Sequence, residues 1–149
     1  MFRLTYEANK LTKELLPTDI GIYAWIDKRT MNVVYVGTAL GRRGLRQRIW
    51  YQHLNPNYLE TRKEKFARAD FFQLEHPIYK DGRVALDKSS FRKSIARRYL
   101  LRSGMETVNY IKEHYLCAFS VYNPDQEDLL RLHSEQYKRD IEVLYQLRA

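Results

Sequence analysis

Residues 21–37 read GIYAWIDKRTMNVVYVG. Two runs rich in β-branched and aromatic residues, 21–27 and 33–38, flank the polar stretch KRTMN, and this pattern predicts a β-hairpin with a five-residue loop. If the loop closes so that Asp27 faces Val33, then Trp25 faces Tyr35 and Tyr23 faces Gly37. Tyr23 and Tyr35 become diagonal neighbours on one face, while Ile22, Ala24, Ile26, Val34 and Val36 share the other. A slip of one residue would separate the tyrosines and send the aliphatic set to the wrong side, so the aliphatic pattern selects this register. Glycine at 37 is expected to leave room beside Tyr23 for the backbone of a substrate.

Working outward, residues 5–16 are read as a short first helix ended by Pro17-Thr18-Asp19. RRGLRQRIWYQHL (42–54) is read as a basic helix with apolar residues at 45, 49, 50 and 54. Residues 58–68 are expected to form another short helix, ADFFQLEHPIY (69–79) a third strand, and KDG (80–82) a turn. The segment 86–104 predicts a helix capped near Asp87 or Ser89 and closed by Gly104, with Phe91, Ile95, Tyr99 and Leu100 as its core stripe. YLCAFSVY (115–122) alternates like a strand. A long amphipathic helix follows, with Asn123 as its cap, Pro124 in the first turn, and Leu129, Leu132, Tyr137, Ile141 and Leu144 on the buried side. Strands and helices mixed in this way describe an α+β domain built on a small, about three-stranded, antiparallel sheet. The expected organisation is a single domain over 1–149, with a core at about 19–110 and a C-terminal strand and helix added over 111–149.

The chain has 149 residues, 26 Lys+Arg against 18 Asp+Glu, and a formal charge of +8. An excess of that size favours a polyanionic partner such as nucleic acid. The basic residues are bunched in GRRGLRQR, TRKEKFAR and FRKSIARR, whereas the last twenty-five residues are nearly balanced. One cysteine, Cys117, excludes an intrachain disulfide and a cysteine-based zinc cluster, and its apolar neighbours place it in the core. The four histidines, at 53, 76, 114 and 133, show no metal-ligand spacing. The absence of a long apolar run or a signal-type N-terminus suggests a cytoplasmic protein without a membrane partner.

GIY, eleven residues, YVG, and then a Leu-Arg-Gln-Arg helix at 45–48 together resemble the GIY-YIG nuclease family, with Val36 in place of the isoleucine of the family's name. The resemblance spans residues 21 to about 110. It implies a sheet flanked by helices and a single active site that hydrolyses a DNA phosphodiester with one divalent cation, Mg²⁺ or Mn²⁺. By resemblance, Tyr23 and Tyr35 position or deprotonate the attacking water, Tyr35 being the more usual base, and Arg48 meets the phosphate. A phenol titrates near ~10, so a neighbouring cation must lower it for that role. The position four residues after the arginine, often His or Tyr in the family, is Gln52 here, with Tyr51 and His53 on either side, and His53 is favoured. Asn109 matches a later asparagine.

The same resemblance puts the family's metal-binding glutamate at Ala96. Three explanations stand side by side: a glutamate replaced by alanine, a binding module without the cation, or a carboxylate supplied instead by Glu75 or Asp87. If Ala96 replaces a ligand, its methyl should lie at the rim of a cleft facing Tyr23, Tyr35 and Arg48. Burial of Ala96 in the core would leave the binding module as the better account. DNA contacts are expected from Gly37, Thr38, Arg42, Arg43, Arg46, Arg92, Lys93 and Arg97. The expected function is therefore a metal-dependent DNA endonuclease, present here in a form lacking its carboxylate. Its rivals are a non-catalytic nucleic-acid-binding module and a protein-interaction domain with incidental charge. Specificity would come from 54–88, from the C-terminal part, from a homodimer or from a partner protein.

Overall fold

The computed structural model describes residues 2–62 and 84–148, with the backbone alone at 61, 62, 84 and 142–148. The chain divides into two compact units, Met1–Arg48 with Lys112–Ala149, and Ile49–Ile111, and each is described by itself. The fold is α+β. In the first unit β1 (Leu4–Glu7), β2 (Gly21–Asp27), β3 (Val33–Ala39) and β6 (Tyr115–Val121) form an antiparallel sheet in the order β1-β6-β2-β3. In the second unit β4 (Leu59–Arg62) pairs with β5 (Val84–Asp87) as a separate two-stranded sheet. The helices are α1 (Gly44–Arg46), α2 (Ser90–Tyr99), α3 (Met105–His114) and the long α4 (Glu127–Arg148).

The expected hairpin forms, with Tyr23 opposite Gly37 and Trp25 opposite Tyr35. The register shifts after Trp25, so that Ile26 rather than Asp27 lies opposite Val33. A bulge of this kind absorbs the extra residue and increases the local twist. The Asp27 carboxylate then accepts the Arg29 backbone N–H at 2.8 Å, and the Asp27 backbone N–H reaches the Asn32 carbonyl at 2.9 Å, closing the loop.

β6 is no appendage to a core ending near 110. It lies between β1 and β2, with Tyr23 opposite Phe119 and Trp25 opposite Cys117. The segment read as a first helix instead supplies β1, which pairs Leu4 with Phe119 and Tyr6 with Cys117. Only two short 3-10 turns, Ala8–Lys10 and Lys13–Leu15, remain of the expected helix. Ladder bonds to a strand over a hundred residues away outweigh the weak helical preference of so short a segment. The expected helix at 58–68 begins as strand β4; its remainder, the strand at 69–79 and the turn at 80–82 lie outside the described residues.

The aliphatic face is covered by α4, where Leu130 packs with Ile22, Ala24 and Val36, and Tyr137 and Ile141 flank them. Asn123 and Gln126 form a reciprocal capping box around Pro124 and start the helix where expected. Its phase differs, however. Leu130 and Ser134 are buried, while Leu129 and Leu132 are exposed. The sequence carries two overlapping leucine stripes, and fit against Ile22 and Val36 selects between them. The side chain of Leu144 lies outside the described set.

α1 is set by the loop before the sheet. Leu45 N–H donates to the Asp19 carbonyl at 3.0 Å and Arg46 N–H to the Pro17 carbonyl at 2.9 Å. Gly44 makes this approach possible: its φ is +48°, and a Cβ there would lie 1.9 Å from the Asp19 carbonyl oxygen. Gly44→Ala is expected to lose stability by at least the ~1–3 kcal/mol of a strained left-handed residue, with the clash in addition. A denaturant midpoint equal to that of the unaltered chain would contradict this geometry.

Candidate functional site

The pairing that places Tyr23 opposite Gly37 also brings Tyr23 and Tyr35 together, with ring centroids 6.3 Å apart. The Tyr35 phenol and the Arg48 guanidinium both lie close enough to act electrostatically on Tyr23. The turn of α1 continues as a π-helix over Gln47–His53, marked by the Leu54 N–H donating to the Ile49 carbonyl at 2.9 Å. This wider winding replaces the regular basic helix that the sequence predicts. Arg48, at its start, is exposed, and its Nε donates to the Thr38 carbonyl at 3.3 Å. Tyr23, Tyr35 and Gly37 thus share one face of β2 and β3, and Arg48 meets the Thr38 backbone at the free edge of β3.

That face is not an open platform. Tyr23 and Trp25 are fully buried, together with Cys117 and Phe119 from β6, and Leu45 packs against Gly21. Burial and the neighbouring phenol of Tyr35 push the Tyr23 hydroxyl far above the ordinary phenol range, and Arg48 only partly offsets them. Tyr23 therefore keeps its proton and is a hydrogen-bond donor rather than a base. Room beside Gly37 is filled from within, since a Cβ at 37 would lie 2.3 Å from the Tyr23 Oη. The glycine accommodates the buried phenol, not a substrate backbone. Tyr35, half-buried on β3, is the phenol of the pair that reaches solvent.

The expected basic contacts separate into two kinds. Arg42, Arg43 and Arg97 are exposed, and Lys93 is half-buried. Arg46 is half-buried, with its Nε donating to the Leu16 carbonyl at 2.9 Å, so it anchors the helix start. Arg92 is not a surface residue at all. It is 0% exposed, with Nε and Nη2 each 2.8 Å from Asp87 Oδ1, Nη2 2.5 Å from the Tyr58 carbonyl, and Nη1 on the Asn55 carbonyl. Every side of its guanidinium faces an acceptor of its own unit, which leaves nothing for a phosphate.

His53 is likewise internal. It is buried, its Nδ1 is 2.7 Å from Ser89 Oγ, and its ring meets Phe91 edge-on at 5.9 Å. Ser89 caps α2 by accepting the Arg92 N–H at 3.2 Å, and its own N–H donates to Asp87 Oδ1 at 3.0 Å. His53, Ser89, Asp87 and Arg92 thus form a structural network at the start of α2. Tyr51 and Gln52 are half-buried, and Asn109 is exposed on α3. α2 ends at Leu100, in the left-handed conformation, rather than at Gly104, and the expected core residue Leu100 is exposed.

Ala96 is 0% exposed, and its carbonyl accepts the N–H groups of Leu100 and Leu101 at the end of α2. A methyl group wholly removed from solvent is not at the rim of an open cleft. Of the alternative carboxylates, Asp87 is committed to Arg92, and Glu75 lies outside the described residues. Among the described residues, no group of three or more His, Cys, Asp or Glu side chains could hold a metal ion. The donor set on the tyrosine face, phenols and a guanidinium, does not fit a hard divalent cation, which takes carboxylate and carbonyl oxygens.

The Asp87–Arg92 pair carries no motif, and its only trace in the sequence is the acid-base spacing of five across a helix cap. No helix among the described residues is long and apolar enough to cross a membrane. No protein-family model, no curated protein and no solved structure matches the chain.

Proposed function

We propose that this chain engages the phosphate backbone of DNA across the solvent-facing edge of the tyrosine face, as a nucleic-acid-binding domain that resembles the GIY-YIG nucleases. The supporting observation is the grouping of Tyr35 and Arg48 beside the Thr38 backbone at the edge of a sheet whose interior phenol, Tyr23, lies against Tyr35. The exposed guanidinium of Arg48 is the kind of group that suits a phosphate oxygen. Half-buried Tyr35 lies on the same edge strand, and exposed Arg42 and Arg43, in the turn before α1, extend the positive edge. Burial of Ala96 favours binding over cleavage, because it removes the position at which a cation-binding carboxylate was expected.

A second reading, metal-dependent endonuclease, is favoured by the Tyr23–Tyr35 pairing beside Arg48. In it Tyr35, in contact with solvent, takes the proton of the attacking water, and Arg48 meets the charge that develops on the phosphate. Tyr23 would only orient its neighbour.

Duplex binding measured by fluorescence anisotropy across a salt series, with plasmid nicking in Mg²⁺ or Mn²⁺ alongside, tests both readings. Affinity should fall steeply with salt through counterion release. Arg48→Ala should weaken binding to all sequences alike and reduce the salt slope by about one. Nicking that is lost in Tyr35→Phe would establish the second reading. A chain with no salt-dependent DNA affinity would overturn both and leave a protein-interaction domain.

A further inference from the structure

A cleft of about 270 Å³ opens where the end of β6 meets α4, and none of its residues belongs to the tyrosine face. Its polar lining offers donors. Arg3 brings a guanidinium and Gln126 an amide whose Oε1 already accepts the Asn123 N–H at 3.0 Å, leaving its NH₂ group. Tyr122 Oη lies 2.6 Å from His133 Nδ1. Burial and the nearby Tyr137 hold the Tyr122 phenol above its ordinary range against the pull of Arg3. With Nδ1 engaged by that phenol, a ligand meets the imidazole at Nε2. Among the described residues that line the cleft there is one guanidinium and no carboxylate, a balance of charge that favours an anion.

The remaining wall is aromatic and aliphatic. The rings of Tyr122, His133 and Tyr137 follow one another at centroid distances of 5.8 and 6.3 Å, and Phe2, behind the lining, meets Tyr137 at 5.7 Å. Val121 and Leu129 add apolar surface, and both are among the exposed large hydrophobics of the chain. Flat and apolar surfaces beside anion donors suit a ligand that joins a planar ring to a phosphate. The volume is near the ~300 Å³ lower bound of small-molecule pockets, the scale of one nucleotide.

We propose that this cleft binds a nucleoside monophosphate unit, its phosphate on Arg3, His133 Nε2 and the Gln126 amide and its base against the Tyr122, Tyr137 and Leu129 side chains. The unit is either a free nucleotide or the 5′-phosphorylated end of a strand. The site uses residues separate from those of the proposed duplex contact, so the two stand or fall independently.

Titration of the full chain with adenosine 5′-monophosphate, followed by backbone amide NMR, should shift signals of Arg3, Tyr122, Gln126 and His133. Inorganic phosphate and unphosphorylated adenosine should each bind at least about tenfold more weakly, since each lacks one half of the contact set. Arg3→Ala and His133→Ala should each lower nucleotide affinity by about tenfold, the scale of losing one charged or polar hydrogen bond to an anion. Both variants should leave duplex affinity within about twofold under the same principle, because neither side chain touches the tyrosine face. Competition by a 5′-phosphorylated oligonucleotide at the same amides would identify the strand end as the source, and its failure to compete would identify the free nucleotide. Absence of shifts at these amides at millimolar nucleotide, or equal affinity for phosphate and nucleotide, would overturn the proposal whether or not the chain binds duplex DNA.

Discussion

Asp87→Ala is expected to lower stability by about 3–5 kcal/mol, the usual cost of leaving one member of a buried ion pair without its partner. Asp87 and Arg92 are both 0% exposed, and one carboxylate oxygen, Oδ1, takes two guanidinium contacts at 2.8 Å and the Ser89 N–H at 3.0 Å. Burial raises the Asp87 carboxyl above its ordinary range and lowers the Arg92 guanidinium below its own, each opposing the pull of the other. Desolvation is thus the larger influence on both groups, yet the short contacts are those of a charged pair, and a guanidinium holds its proton under all ordinary conditions. Asp87 Oδ2 is buried with no hydrogen-bond partner among the described residues, so the pair is already an expensive arrangement. Removing Asp87 leaves the cation with carbonyls alone and also frees the Ser89 N–H. Asp87→Asn, which keeps an acceptor and loses the charge, should fall between. A double variant, Asp87→Leu with Arg92→Met, should recover most of the loss, because a well-packed apolar pair needs no desolvation of charge. Denaturant midpoints of the four proteins decide this, and a loss below about 1 kcal/mol for Asp87→Ala, the scale of an exposed pair, would contradict the burial.

Ala96→Glu should destabilise the chain rather than restore metal-dependent cleavage. The site admits no solvent, so the longer side chain costs about 1–3 kcal/mol through overpacking, and its charge adds several more when taken from water. Arg92, one turn earlier, already has acceptors around it and offers no new partner. Burial would raise the pKa of the introduced carboxyl in the folded chain above the ~4.3 of an unfolded glutamate. A group raised on folding contributes its stability below the unfolded pKa and loses it as pH rises through the folded one. The defect should therefore be smaller at pH 4 than at pH 8. Ala96→Gln isolates overpacking, with no such pH dependence. A variant with undiminished stability that also nicks plasmid in Mg²⁺ would put residue 96 back at an open cleft.

Much of the site was legible because its signals are local or strictly periodic. Alternation along 21–27 and 33–38 is enough to set the pairing of Tyr23 with Gly37 and of Trp25 with Tyr35, since any slip would expose Ile22, Ala24 and Val36. The start of α4 at Asn123-Pro124 and the cap of α2 at Ser89 rest on backbone groups within a few residues. Depth was not legible. A tyrosine beside a glycine reads as an open site, but β2 is paired on both edges and covered on both faces, so Tyr23 fills the space over Gly37 itself.

What the sequence by itself determined is the α+β class, the hairpin and its central register, the strand at 115–121 and the existence of the C-terminal helix, each encoded by a period of two or 3.6 or by a cap. Only the tertiary structure decided that residues 4–7 are a strand, that Leu130 rather than Leu129 faces the sheet, and that Arg92, His53 and Ala96 are inside. Each of these depends on a partner distant in the chain. β1 needs β6 to accept its ladder bonds, the phase of α4 needs the aliphatic face of β2 and β3, and Arg92 needs the carbonyls of Asn55 and Tyr58 around its ion pair with Asp87. A basic residue faces water by default because leaving water is costly, and that default fails only where folding assembles enough acceptors around the charge.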